Sequence, residues 1–258
     1  FALAALFALP ARADWSLLNM PKGVSVLSRE IYDMHMIMLW ICFAIAVVTF
    51  GAMIFAMIRF RKSKGAVADT KLLHNARLEA AWTLVPTIIL IAMAIPSVDK
   101  LIKIEDMSGS ELTVKITGYQ WYWQYEYLGK GVSFYSRLAR TSDLARQRGS
   151  GIDPNTVENY LLEVDHPLVV PVGTKIRLLL TANDVIHAWW VPDFGMKRDA
   201  IPGFMNEMWI SVDADKPGTY RGKCAELCGA DHGFMPIVVV AKPKPEFETW
   251  LAQQVAME

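Results

Sequence analysis

The stretch MHMIMLWICFAIAVVTFGAMIFAMI, residues 34–58, runs for 25 residues without an Asp, Glu, Lys or Arg. A second charge-free stretch of 19 residues, AAWTLVPTIILIAMAIPSV, follows at residues 80–98. As helices rising about 1.5 Å per residue they would measure ~37 and ~28 Å, against a hydrocarbon layer of ~30 Å. Buried soluble helices would account for one such run. Two runs separated by a basic loop predict a transmembrane hairpin with helices at about 34–58 and 80–98. Pro86 and Pro96 are compatible with this, because membrane helices tolerate proline where neighbours satisfy the freed backbone groups.

The loop at residues 59–79 carries Arg59, Arg61, Lys62, Lys64, Lys71 and Arg77 against only Asp69 and Glu79. Positive loops stay in the cytoplasm, so both long ends of the hairpin are expected outside. The opening FALAALFALPARA, residues 1–13, agrees. It is a short apolar run ending in Ala11-Arg12-Ala13, the pattern of a signal-peptide remnant, and it places the mature start at Asp14. Residues 14–98 would then hold an N-terminal segment and the hairpin, and residues 99–258 an extracytoplasmic domain.

Composition agrees with this division. Charged residues make up 20% of the chain, below the roughly 25% of a globular domain. The net charge is zero, which excludes a dominant nucleic-acid binder. Nine Trp, eight Tyr and eleven Phe exclude a disordered chain. Three cysteines are too few for a disulfide-stapled scaffold. The first 98 residues carry +4 and the remainder −4, so the outer part is acidic.

That outer part reads as all-β. Leu112, Val114 and Ile116 alternate with polar residues, Ile176, Leu178 and Leu180 repeat the pattern, and PIVVVA forms an apolar run at 236–241. Turn formers at Pro171-Val172-Gly173, Pro202-Gly203 and Pro217-Gly218 punctuate these runs, as in a Greek-key sandwich or barrel. Residues 129–160 are rich in Arg, Ser, Gly and Asp and read as a surface excursion. In GYQWYWQYEY, residues 118–127, alternation predicts Trp121 and Trp123 on one sheet face and Tyr122 on the other.

Chemistry concentrates in CAELCGADHGFM, residues 224–235, which supplies Cys224, Cys228, His232 and Met235, with His187 upstream. Two thiolates, two imidazoles and a thioether form a soft-to-borderline donor set that suits copper, whereas calcium or magnesium would want oxygens. A mononuclear blue-copper site uses two His, one Cys and a weak Met, and the extra cysteine here supplies what two thiolates need to bridge two metals. Gly222, Gly229 and Gly233 would let the loop turn its side chains to a common point. A disulfide between Cys224 and Cys228 would suit an oxidising compartment, but it gives no role to the following His and Met. A structural zinc site from two Cys and two His would leave Met235 idle. Cys42, inside the first apolar stretch, has no assigned role.

The CxExCGxxHxxM pattern, with the upstream His187 in DVIHAWWVP, resembles subunit II of the aa3-type cytochrome c oxidases of bacteria. The similarity extends over the leader, the hairpin, the aromatic segment and the metal loop. It implies a two-helix hairpin followed by an all-β, cupredoxin-like Greek-key barrel, an α+β membrane protein overall. It further implies a binuclear copper centre bridged by Cys224 and Cys228. The other ligands would be His187, His232, Met235 and the backbone carbonyl of Glu226. The Glu226 side chain would reach a magnesium ion shared with subunit I.

By the same resemblance, electrons from cytochrome c arrive at Trp121 and pass to haem a of subunit I, where oxygen is reduced to water with proton translocation. Haems belong to that partner. Subunit I is the obligate partner, with subunit III beside it, and the chain is not catalytic alone. Glu126, Asp165 and Asp184 fall where docking carboxylates are expected for cytochrome c, with Asn183 standing where some relatives have an acid. Glu79 matches a residue at the mouth of a proton path, although a first-turn carboxylate also stabilises a helix by itself. The location implied is the bacterial inner membrane, with both termini and the copper domain on the periplasmic side. A thioredoxin-like copper chaperone would place its cysteines before the histidine. A quinol oxidase subunit would lack the ligands, and a nitrous oxide reductase would need a second, His-rich domain.

Overall fold

The structure is a computed structural model that describes residues 18–67 and 74–256. The leader expected at 1–13, the start at Asp14, and Asp69 and Lys71 of the basic loop lie outside the described residues. The chain forms two compact units: Asp33–Asp106, and the chain before Asp33 together with everything from Met107 on.

The first unit is built from α1 (Val26–Arg59), whose first turns up to Tyr32 belong to the other unit, and α2 (Ala76–Glu105). Both helices outrun the charge-free stretches at each end. Charged residues flanking an apolar run leave the lipid but break no backbone pattern, so the helix continues until a cap ends it. For α2 that cap is Asn75, whose side chain accepts from Leu78 N at 3.1 Å. Glu79 reaches back to accept from Asn75 N at 3.1 Å and lies 2.7 Å from His74 Nδ1. These contacts satisfy orphan donors of the first turn. Pro86 and Pro96 sit inside α2 without ending it. Both helices are long and apolar enough to cross a membrane, and neither buries any residue of its apolar window. Trp40, Val48, Ile88, Leu90 and Ile95 all point outward.

The second unit is a β-sandwich of two five-stranded sheets. In one sheet the order is β3 (Val132–Ser136), β2 (Tyr122–Tyr127), β1 (Leu112–Tyr119), β5 (Ile176–Ala182) and β8 (Asn206–Ile210). The other runs β4 (Leu168–Pro171), β10 (Pro236–Lys242), β9 (Gly218–Cys224), β6 (His187–Trp190) and β7 (Lys197–Ala200). A short helix α3 (Arg140–Ala145) lies between β3 and β4, and α4 (Lys244–Val255) follows β10. The expected alternation holds, since Leu112, Val114 and Ile116 of β1 and Ile176, Leu178 and Leu180 of β5 are all buried. These two strands pair in parallel, with Val114 opposite Leu178.

Two expectations are corrected. Trp121 does not share a strand face with Trp123. β1 and β2 form a tight hairpin with Tyr119 opposite Tyr122, so Gln120 and Trp121 are its turn. A two-residue turn takes both side chains out of the strand alternation, leaving Trp121 half-buried while Trp123, Tyr125 and Tyr127 enter the core. The excursion also begins later than its composition suggests, because β3 uses residues 132–136 and buries Val132 and Ser136.

The segment before α1 belongs to the sandwich unit. Val24 N donates to Asp193 O at 3.1 Å, and Val24 O accepts from Asp213 N at 2.9 Å. Ser25 and Ser28 cap reciprocally, each backbone N–H donating to the other's hydroxyl at 2.9 and 3.0 Å. Arg29 binds the Asp213 carboxylate through both terminal nitrogens, at 2.5 and 3.4 Å.

Candidate metal centre

The donors expected in the sequence come together at one end of the sandwich. His187 opens β6, Cys224 closes β9, and β6 and β9 pair with Trp189 opposite Cys224. Pairing of these strands therefore sets the imidazole beside the first thiol. The connection from Cys224 to β10 then folds back, carrying Cys228, a short turn of helix at His232–Phe234, and Met235. Gly229 permits the reversal: its φ is +116°, and a Cβ there would lie 3.0 Å from Gln120 Nε2. Gly233 has open space around it and meets no such requirement.

Cys224 and Cys228 are free thiols whose sulfurs face each other 3.8 Å apart. His187 Nδ1 lies 3.9 Å from Cys224 Sγ and His232 Nδ1 3.5 Å from Cys228 Sγ. Met235 Sδ is 3.5 Å from Cys228 Sγ, and the Glu226 carbonyl oxygen is 3.3 Å from Cys224 Sγ. The Glu226 side chain is on an exposed residue. His187, Cys224 and Cys228 are buried, with ligand atoms within 4.8 Å of one another. Two paired sulfurs, each with an imidazole nitrogen, plus a thioether and a carbonyl, form a donor set that fits soft-to-borderline metals. Zinc in a structural site would use four ligands and leave Met235 and the Glu226 carbonyl without a role.

Burial opposes ionisation at both sulfurs, but with different results. At Cys224, hydrogen bonds with His187 and with backbone groups of Ala188 and Glu226 outweigh burial and hold the thiol below its ordinary range. Burial, then the neighbouring charge on Cys224, push Cys228 up. Burial likewise works against a charged His187, yet contacts with Cys224 and Asp184 raise it. Metal ligation requires both thiols deprotonated, so uptake releases a proton from Cys228.

Around the donors lies a shell of hydrogen-bonding and aromatic residues. His187 Nε2 meets Asp184 Oδ1 at 2.9 Å, which orients the ring and leaves Nδ1 for the sulfur side. Asp184 also accepts from Gln120 N and Val185 N, at 2.7 Å each. The Cys228 carbonyl accepts from Gln120 Nε2 at 2.9 Å and from Trp121 Nε1 at 3.2 Å. Trp123 stands edge-on to His187 at 5.9 Å. Gly118 makes this approach feasible, since a Cβ there would lie 2.8 Å from His187 Cδ2. Trp189 and Phe194 are buried and stacked behind the site, whereas Trp190 is exposed because its strand position faces outward.

Each carboxylate expected to dock a partner has a partner within this chain. Glu126 lies 3.4 Å from Lys115 Nζ. Asp165 accepts from the backbone of Arg137 and His166 at 2.7 and 2.8 Å. Asp184 belongs to the His187 shell. Glu79, in the hairpin unit, serves as the α2 cap described above.

Fold and donor set thus define a membrane-anchored, cupredoxin-like protein with a cluster of two thiols and two imidazoles that could hold a metal. Family models identify the pieces: the cytochrome c oxidase subunit II periplasmic domain matches residues 112–242, and its transmembrane domain matches residues 13–99. A probable cytochrome c oxidase subunit 2 of Rickettsia prowazekii is 39% identical over 92% of this chain and 72% of its own length. The cytochrome c oxidase subunit 2 of Lycodon semicarinatus is 44% identical over 72% of this chain and 79% of its own. Among solved structures, the periplasmic domain of the cytochrome oxidase subunit II of Bradyrhizobium japonicum is 41% identical. It covers 57% of this chain and 96% of its own, with a TM-score of 0.48. The chain belongs to the cytochrome c oxidase subunit II family. It is accordingly a membrane-embedded subunit of a respiratory oxidoreductase and works with other oxidase subunits.

Proposed function

We propose that this chain receives electrons from a c-type cytochrome at a binuclear copper centre and passes them to haem a of subunit I, with subunit III completing the assembly. The observation that carries this reading is the pairing of Cys224 and Cys228 at 3.8 Å, each sulfur with its own imidazole nitrogen. His187, Cys224, Cys228, His232, Met235 and the Glu226 carbonyl would hold the copper. Bound there, the pair supplies a one-electron carrier whose charge change is spread over two metals. The Glu226 side chain, on an exposed residue, would meet a magnesium ion at the subunit I contact.

The chain's own residues prepare this task. Buried Trp189, Phe194 and Met235 keep water from the sulfurs, and a rigid, dry shell limits rearrangement between oxidation states. Asp184 fixes the His187 ring. Trp121 is half-buried and donates to the Cys228 carbonyl, so an aromatic ring that reaches the surface is bonded to a ligand's backbone. This supports the reading of Trp121 as the point where electrons arrive. Glu126, Asp165 and Asp184 would form the docking acids for a basic donor, through charge complementarity that speeds encounter. Glu79, beyond capping α2, would lie at a proton-uptake path. The sandwich and both termini would face the periplasm of a bacterial inner membrane, with the basic loop inside.

Rapid mixing of the assembled oxidase with reduced cytochrome c tests the route. Trp121→Ala should slow electron arrival while copper content stays at the wild-type level, and Trp121→Phe should recover part of the rate. Wild-type kinetics in Trp121→Ala would refute the route.

A further inference from the structure

The excursion between β3 and β4 has no part in the route above, yet it holds the metal loop. Helix α3 ends at Arg146, whose guanidinium donates to both Asp231 oxygens, at 3.2 and 3.3 Å. Its Nε donates to Asp143 at 2.8 Å, and its centre sits 4.4 Å from the centroid of the Phe234 ring. Asp231 immediately precedes His232, and Phe234 immediately precedes Met235. One side chain therefore grips the loop on both sides of His232. A second strut holds the other arm: Arg221, on β9 just before Cys224, donates to Glu163 at 2.7 Å. The excursion is itself anchored, since the buried Ser142 hydroxyl accepts from Leu161 N at 3.1 Å and Ala139 N donates to Glu163 O at 2.9 Å.

An isolated exposed ion pair contributes little. Arg146 differs because three charge-assisted bonds and a ring contact converge on a side chain that is only 27% exposed. A cavity of about 210 Å³ lies beside it, with Trp121, Arg137 and Leu138 on its other walls. Phe234 borders this cavity, so on that side the Arg146 guanidinium is the contact that meets its ring.

We propose that Arg146 is a positioning residue for the copper loop, fixing through Asp231 and Phe234 the segment that presents His232 and Met235. This rests on the binuclear copper reading. The test uses the full chain in detergent, loaded with copper and titrated with a competing chelator of known affinity. Paramagnetic resonance and a redox titration are recorded alongside. Arg146→Met keeps an unbranched, flexible side chain that can touch Phe234 while removing the three bonds. It should weaken copper binding about 10- to 100-fold, broaden the hyperfine pattern and move the potential. Arg146→Lys keeps the charge without the fork and should recover only part of the affinity.

A merely structural role would lower the melting temperature of the metal-free chain and leave the folded fraction with wild-type affinity, spectrum and potential. That result overturns the proposal. Should Arg146→Met not fold, Asp231→Ala removes the bidentate contact instead. A wild-type affinity and spectrum there would equally overturn it. If the wild-type chain fails to take up two coppers, the binuclear reading falls and the clamp with it. If the wild type does bind two and both variants match it, the clamp alone falls.

Discussion

The hairpin and the sandwich treat apolar side chains in opposite ways. β1 and β5 turn Val114, Ile116, Leu178 and Leu180 inward, each at 0% exposure. α1 and α2 turn Trp40, Val48, Ile88 and Leu90 outward at more than half exposure. The sandwich satisfies itself: its core is buried against its own second sheet, and its strand hydrogen bonds run within the unit. The helices satisfy only their backbones, and their side chains need lipid or a partner subunit. The stability of the sandwich is thus a property of this chain, while that of the hairpin is a property of its surroundings. The metal centre lies wholly within the self-sufficient unit, as a site that must hold its ligands still requires.

The largest expected effect is complete. Cys228→Ser should abolish binuclear copper binding, read by metal analysis, while circular dichroism shows the sandwich still folded and the helices intact. Next comes a paired substitution that breaks the comparison if it is wrong. Leu178→Ala should destabilise the sandwich by about 2–5 kcal/mol. Ile91→Ala, on an α2 residue that is 61% exposed, should leave the melting of the sandwich unchanged. Equal shifts in thermal unfolding would show that the helices share the sandwich's core.

A smaller change is expected at the metal shell. Asp184→Ala frees the His187 ring and should cost roughly tenfold or more in copper affinity, measured by chelator competition. Unaltered affinity would return Asp184 to a docking role alone. The smallest effect concerns the Arg29–Asp213 pair. Arg29 holds the Asp213 carboxyl below its ordinary value of 3.8. Its contribution is therefore present above that value and drains away as pH falls through the depressed one. Wild type and Asp213→Asn should differ in melting temperature at neutral pH and converge in strong acid. A gap that persists in acid would place the effect elsewhere.

The sequence made the broad architecture legible because its signals were periodic or chemically dense. Two charge-free runs of 25 and 19 residues on either side of a basic loop point to a membrane hairpin, and the alternation at residues 112–116 reports a strand with one buried face. The donor set was legible for another reason: Cys224, Cys228, His232 and Met235 fall within one loop, and only His187 had to be brought from a distance. Trp121 was misplaced because six aromatics in ten residues imitate a continuous strand, and nothing in GYQWYWQYEY marks Gln120 and Trp121 as a turn. Asp184 was read as a docking acid although His187 is only three residues on, because nothing in DVIH marks the turn that folds the carboxylate back onto the ring. Arg146 was hidden inside a polar excursion whose contacts with Asp231 span 85 residues. No local pattern reports such a contact.

The central claim is that paired thiols and two imidazoles hold two copper ions as one electron carrier. Metal analysis with paramagnetic resonance on the copper-loaded full chain tests it most directly. Two coppers per chain are expected, with the hyperfine splitting of one unpaired electron shared equally between two copper nuclei. One copper with a localised electron, a bound zinc, or a metal-free disulfide between Cys224 and Cys228 would contradict it.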